Sequence, residues 1–417
     1  MLIRFCLYSV FKNLRPFEAF FILFLLSPAE NGGADLSLFQ IGLLVGFQKL
    51  VTGLLEIPSG FLTDAWGRRR ATAGCFVFYT TAFPIFALSS HLAGVGQLTA
   101  LYFGQLMFGL GEAFRTGSHK AIMLDWVDQT NAPRFRATRV LGFTRFFSKA
   151  TAGISALLGA VILMATGDFS WLFWAASLPA AAGIILLLGY PRWLEGEQHR
   201  KRNQAIRPTW RQQFHNLWAM PGMLFLMLQS ILFESQIKSA QHYIQPFFEQ
   251  WLGVHAQSVM GPWVLAIGGY YLLHDLLGAM ASVLALPAEK RATAARLNQL
   301  LFVLGIGVML LIAYALFKKW LAAVLIGFVL LAALQNMRRP IFLARFNDVM
   351  DKPQRTTTLS IESQARTWIV AIVAPITGYV ADHQGLPWAL VIIAGIFSSG
   401  LFLHLMPNSL TVTGDER

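Results

Sequence analysis

The feature that most constrains this chain is a repetition. Apolar stretches of about 20 residues, each long enough to cross the hydrocarbon core of a bilayer, return twelve times along its 417 residues. Their approximate limits are 5–27, 39–64, 71–90, 98–126, 139–166 and 170–190, then 219–249, 262–286, 296–316, 319–347, 357–381 and 387–406. Lipid offers no hydrogen bonds, so a spanning stretch must satisfy its own backbone groups, as an α-helix does. Composition agrees: 55% of residues are hydrophobic and 13% charged, where a soluble domain carries about 25% charge. An ordinary soluble enzyme and a disordered chain are excluded. The fold expected is an all-α membrane protein of twelve transmembrane helices.

The formal net charge of +12 would suit a nucleic-acid binder in a soluble protein, but here its distribution points to lipid. Alternate loops hold eighteen Lys and Arg, from Arg68 to Arg355, whereas the opposite set holds only Lys318 and Lys319. Basic loops stay on the cytoplasmic side, so both termini are expected on that face of the plasma membrane. Lys12 and Arg15 interrupt the first apolar stretch and no small-residue cleavage site follows; the stretch reads as a span, not a signal peptide. Cys6 and Cys75 suggest neither a disulfide framework nor a metal cluster. The longest polar stretch, 191–217, is expected to be a cytoplasmic linker between an N-terminal bundle at 1–190 and a C-terminal bundle at 218–417. At an offset of 219 residues the halves partly align. Arg136 falls on Arg355, Thr138 on Thr357, Gly159 on Gly378, and His119-Lys120 on Arg338-Arg339. A constant offset of this kind marks an internal repeat.

Between the second and third stretches the chain reads Gly60-Phe-Leu-Thr-Asp64-Ala-Trp-Gly67-Arg68-Arg69-Arg70. Gly60 lets a neighbouring helix approach closely. Asp64 is placed to accept charge-assisted hydrogen bonds, Gly67 allows a tight reversal, and the arginines hold the cytoplasmic side. This run resembles the loop signature of the major facilitator superfamily, G-x-L-x-D-x-x-G-R-[KR], in its expected place after the second of twelve spans. The resemblance covers essentially the whole chain. It implies two six-helix bundles around a central cavity, working by alternating access. It also implies that Asp64 and Arg68 belong to a cytoplasmic latch together with Gly60 and Gly67, and not to the substrate site. The corresponding loop of the second half, near Pro287–Arg291, is degenerate. Proton-driven drug antiporters of the superfamily usually carry an Arg four residues before a Gly in the fourth span; here Gln105 stands before Gly109. Their Pro-containing double-Gly signature in the fifth span is replaced by Ala152–Gly159, which lacks both features.

Charge within a span costs at least ~2.5–3.5 kcal/mol near the bilayer centre, yet this chain places many basic and acidic residues there. Arg15, Lys49, Lys149, His274 and Arg366 fall near mid-membrane; Lys120, Arg145, Arg338 and Arg339 fall nearer the cytoplasm, where snorkelling or gate ion pairs are expected. On a continuous seventh helix, Glu234, Lys238, Gln241, His242 and Gln245 share an arc of about 100° and would line a cavity. Glu112, Arg115, Thr116 and His119 share a face of the fourth helix in the same way. A metal site could draw on His119, His242, His274 and Asp275, but these lack close ligand spacing, and the nearby Lys and Arg repel a cation. The sequence has no nucleophile elbow, phosphate-binding glycine loop or HExxH helix, so it is not read as an enzyme.

The expectation is a secondary active transporter of a small organic solute, anionic or zwitterionic. Arg15, Lys49, Lys149, Lys238, Gln241, His242, Gln245, His274 and Arg366 would contact the solute. Arg115 and His119 would close the cytoplasmic side. Glu234, Asp275 and Glu362 would carry coupling to a proton or another ion. No cofactor, metal or nucleic acid is expected; the partners are the solute and the bilayer, and the protein is expected to be a monomer. The alternative is a proton-coupled multidrug exporter, against which the basic cavity and the two sequence departures count. A receptor, channel or scaffold on a transporter fold would lack saturable exchange of solute.

Overall fold

The structure, a computed structural model, describes residues 1–115, 118–130, 137–195, 221–252, 261–283, 294–349 and 355–401. Among them every regular element is helical. In chain order the helices are α1 (Leu2–Asn13), α2 (Phe21–Leu26), α3 (Leu38–Trp66), α4 (Arg68–Ser89), α5 (Gly94–Arg115), α6 (Ser118–Thr130), α7 (Ala137–Thr166) and α8 (Ser170–Leu188). They continue with α9 (Pro221–Gln241), α10 (Ile244–Leu252), α11 (Trp263–Val283), α12 (Ala294–Phe317), α13 (Leu321–Val349), α14 (Arg355–Gln384) and α15 (Leu386–Ser398). Three expected spans are each occupied by a pair, α1 with α2, α5 with α6 and α9 with α10, so the fifteen helices of the described residues fill the twelve expected spans.

Seven described helices (α3, α4, α7, α8, α11, α12 and α13) are long and apolar enough over one stretch to cross a membrane. The others depart for visible reasons. The first and seventh spans are broken. α5 carries Gln97, Gln105, Glu112 and Arg115, α14 carries Glu362, Arg366 and Asp382, and α15 is short in its described part. Large apolar side chains lie outward: Leu178 and Ile185 on α8 are 75% and 74% exposed. Such a surface is stable against hydrocarbon, not water.

Packing divides the chain into two compact units. One is Met1–Ala205 with Gln245–Leu276; the other is Ile206–Ile244 with Leu277–Arg417. In the first, α4 packs on α5 and α8, α3 on α5, and α1 on α7. Its core is aromatic: Phe17, Phe24 and Phe86 each lie within 5.1 to 5.6 Å of the Phe173 ring centroid. In the second, α12 packs on α13 and α15, and α9 on α14.

The first span is not the single helix expected at 5–27. Pro16 has no N–H to give, and in a continuous helix its ring would meet the carbonyl of Lys12. The helix therefore ends at Asn13, and the chain resumes through a short 3₁₀ turn at Glu18–Phe20 before α2. Arg15 sits in the break. Nor is the seventh span the single helix expected at 219–249. Pro246 acts on the carbonyl of His242 in the same way, and the chain turns at His242-Tyr243 between α9 and α10. The polar arc drawn on a continuous seventh helix is thereby divided: Glu234, Lys238 and Gln241 lie on α9, His242 in the turn, and Gln245 on α10.

A break inside a membrane leaves backbone groups that must find partners. Gln245 supplies three. Its Oε1 accepts from the backbone N–H of Ile22 at 2.7 Å and of Leu23 at 3.2 Å, and its Nε2 donates to the Glu18 carbonyl at 3.0 Å. One amide thus satisfies the frayed start of α2. Against the same break lies Gly159 of α7, where a Cβ would stand 2.3 Å from the Pro16 carbonyl oxygen; only glycine lets α7 come this close.

Candidate functional site

Among the described residues, three groups of charged side chains within the helices hold most of the expected site residues. The first surrounds Glu112 of α5. Arg15, 8% exposed, donates from Nη1 to Glu18 at 3.1 Å and from Nη2 to Glu112 at 3.3 Å. The Tyr79 hydroxyl donates to the same Glu112 oxygen at 2.6 Å, and Arg115 pairs with the other oxygen one turn along α5. The Arg15 guanidinium lies 4.4 Å over the Tyr79 ring and 5.1 Å from the Phe108 ring, a desolvated cation–π arrangement. Lys49, half-buried on α3, sits in the field of Glu112, Arg115 and Glu18.

The second group surrounds Glu234 of α9, 3% exposed. Gln335 donates to its Oε2 at 2.8 Å, while Arg366 and Arg339 stand at 3.6 and 3.8 Å. Gln241 reaches Gln335 at 3.4 Å. Glu362, 4% exposed and one turn before Arg366 on α14, accepts from the Ser230 hydroxyl at 2.8 Å and faces Arg366 Nε at 3.3 Å. Arg338, 1% exposed, lies over Phe233 at 4.4 Å and 5.3 Å from the Phe342 ring.

The third is a pair. Lys149 of α7 donates to Asp275 of α11 at 3.0 Å, and His274 Nδ1 is 3.7 Å from the same oxygen, beyond hydrogen-bond reach. The His274 ring is buried against Tyr270 and Tyr271.

The structure thus brings Arg15 and Arg115 together, Glu234 with Glu362, Arg366 and Gln241, and Lys149 with Asp275 and His274. The Gln245 amide is used on α2. Lys238 is exposed on α9, and His242 is half-buried in the turn. Of the loop motif, Gly67 takes φ +98° between α3 and α4, a conformation suited to glycine, and Arg68 pairs with Asp125 of α6. The surroundings of Gly60 and the side chains of Asp64 and Lys120 lie outside the described residues, as do Thr116, 196–217 of the central loop and the 287–291 loop. His119 is buried in an aromatic nest: it stacks on Tyr8, meets Phe5 edge-on, and has Nε2 3.3 Å from the Tyr190 hydroxyl.

Sequence reasoning missed Tyr79, Ser230 and Gln335 as partners of the buried carboxylates, and Asp125 as the partner of Arg68. Gln335 had a signal, an amide that ends the apolar run 321–334 and opens the polar stretch reaching Arg339; Tyr79, in an aromatic-rich helix, had none. Arg338 was visible as an in-span charge but was assigned to the cytoplasmic margin.

Among curated protein sequences none matches the chain significantly. Solved structures do match in fold. A variant of the nucleoside transporter NupG superposes with a TM-score of 0.74 at 11% identity, covering 97% of this chain and 98% of that one. A D-xylose–proton symporter gives 0.71 at 11% identity, with 96% of each chain covered. A variant of the peptide transporter POT gives 0.70 at 12% identity, covering 98% of this chain and 93% of that one. The Major Facilitator Superfamily model matches residues 14–361, most of the chain and all of the broken first span beyond α1. With twelve spans, the Gly60–Arg70 motif and this match together, the chain belongs to the Major Facilitator Superfamily of membrane transporters.

Proposed function

We propose that the protein is a secondary active carrier of a small organic solute bearing an anionic group, the solute being an anion or a zwitterion. The observation that carries this reading is the basic surplus inside the spans. In the first unit Arg15, Lys49 and Arg115 stand against Glu18 and Glu112; in the second Arg338, Arg339 and Arg366 stand against Glu234 and Glu362. Buried positive charge without equal negative charge is costly unless another anion completes it. Lys49, Lys149, Lys238, His242, His274 and Arg366 supply attraction, and Gln241 a neutral polar contact. Arg15 and Gln245, already engaged by protein groups, shape the site. Asp275, Glu234 and Glu362 exchange partners when a proton or another ion is coupled. Arg68, Arg115 and His119, with Gly60, Asp64 and Gly67, form the cytoplasmic closure. The carrier is a monomer in the plasma membrane with both termini cytoplasmic. Similar structures include a D-xylose–proton symporter and a peptide transporter; the basic surplus favours a charged solute over a sugar.

Counterflow in proteoliposomes tests the reading. Saturable exchange of a small carboxylate, competed by other carboxylates and not by D-xylose, is the expected result. Exchange of a lipophilic cation against a proton gradient would replace it with the exporter alternative. No saturable exchange of any solute would leave a receptor or scaffold on a transporter fold.

A further inference from the structure

Arg338 is the most deeply buried charge described in the second unit, and the mechanism above gives it no task. Its side chain is 1% exposed. Its Nε and Nη2 find no hydrogen-bond partner among the described residues. Its ring neighbours Phe233 and Phe342 hold the guanidinium by its face, which leaves the N–H edge to be satisfied by something else. Arg366, within electrostatic range of Arg338, repeats the pattern. It stands at salt-bridge distance from Glu362 and Glu234, yet its Nε and Nη1 also make no hydrogen bond. Each carboxylate also accepts from a neutral side chain, Glu362 from Ser230 and Glu234 from Gln335. Two guanidinium groups within electrostatic range of one another thus leave four nitrogens without a hydrogen bond among the described residues. A buried donor without an acceptor is strongly unfavourable, and the planar fork of arginine matches an oxyanion.

We propose that Arg338 and Arg366 form an oxyanion subsite, with Phe233 and Phe342 as its platform, that takes the carboxylate or phosphate group of the solute. The proposal rests on the anionic-carrier reading and locates it in one half of the chain. Glu362 competes with the ligand for Arg366, so its charge tunes the affinity.

Purified full-length protein in detergent is titrated with succinate and, separately, with inorganic phosphate, against sodium chloride at equal ionic strength, and thermal unfolding is followed. A saturating rise of the unfolding midpoint in one of the two anions beyond the chloride control is expected, and the stronger responder identifies the head group. Arg338→Lys keeps the charge and removes the fork; its apparent Kd for that anion should weaken about tenfold or more. Glu362→Gln retains an acceptor for Ser230 and removes the competing charge; its apparent Kd should tighten. If Arg338→Lys does not fold, Glu362→Gln decides alone. An unchanged Kd in Arg338→Lys, or a weaker one in Glu362→Gln, overturns the subsite. If the parent exchanges succinate in proteoliposomes while neither variant alters affinity, the carrier reading stands and the subsite falls. If the parent responds to neither anion and exchanges D-xylose, both fall.

Discussion

Each unit of the molecule contains one buried cluster of arginines and carboxylates, and the two differ in how completely their charges are answered. Around Glu112 the arginines have their acceptors: Arg15 reaches two carboxylates, Arg115 pairs with the same Glu112, Tyr79 adds a hydroxyl, and of the buried arginine nitrogens described there Arg115 Nε makes no hydrogen bond. Around Glu234, four guanidinium nitrogens of Arg338 and Arg366 make none among the described residues. The same residue types thus serve two ends. A satisfied network in low dielectric fixes one arrangement and is costly to disturb. An unsatisfied one is held in place by packing and gains when another group enters. The first cluster reads as the structural keystone of its unit, the second as the place where a ligand is recognised.

The sharpest way to break this comparison is to neutralise one carboxylate in each cluster. Glu112→Gln leaves Arg15 and Arg115 buried without their shared counter-charge. A loss of ~3–5 kcal/mol is expected, seen in thermal unfolding or, beyond that, as failure to recover monodisperse protein. Glu362→Gln should lose far less, because Gln still accepts from Ser230 and Arg366 keeps Glu234. Equal losses would mean that both clusters are structural and that the contrast drawn between them is wrong.

How much of this was legible in the sequence follows from the range of each interaction. Apolar stretches, the Gly60–Arg70 motif and the in-span positions of Arg15, Glu234 and Arg366 are local facts, and they located the spans, the family and the charges that needed partners. The partners were not local. Tyr79 and Glu112 are 33 residues apart, Arg68 and Asp125 57, Glu234 and Gln335 101, and Ser230 and Glu362 132. No periodicity reports which helix faces which. The helix breaks are an intermediate case. Pro16 and Pro246 were visible, and the clash of each ring with the carbonyl four residues earlier was available as an argument. Hydropathy does not weigh it, so both spans were drawn unbroken. The burial of Arg338 was not legible for a further reason: residue count along a helix measures distance from its end, not what Phe233 and Phe342 cover.

A second contrast lies in what holds the broken first span on which Arg15 depends. If Gln245 satisfies the start of α2, Gln245→Ala leaves two N–H groups and one carbonyl without their partner. A loss of ~2–3 kcal/mol is expected, since a single unmet buried group costs ~1–3 kcal/mol and some water entry offsets the rest. Gln245→Glu should recover part of it, because a carboxylate still accepts from Ile22 and Leu23 but cannot donate to the Glu18 carbonyl. Thermal unfolding of the three proteins checks the order parent, Glu, Ala. If Ala equals parent, the break is self-supporting and the Arg15 cluster does not depend on α10.

The smallest expected effect tests how redundant the first cluster is. Tyr79→Phe keeps the ring, its burial and the cation–π contact with Arg15, and removes only the hydroxyl that donates to Glu112. Glu112 retains Arg15 and Arg115, so no charge is stranded, and the loss should be near ~1 kcal/mol, the ordinary net value of one hydrogen bond with a modest increment for the charged acceptor. Measured by thermal unfolding with and without succinate, the loss should be the same if the anion's oxyanion group is held at the Glu234 cluster and not at Glu112. A loss as large as that of Glu112→Gln would show that the hydroxyl, and not the arginines, sets the carboxylate in place. A loss that disappears in succinate would move the anion from the Glu234 cluster to this one, and with it the assignment of roles to the two units.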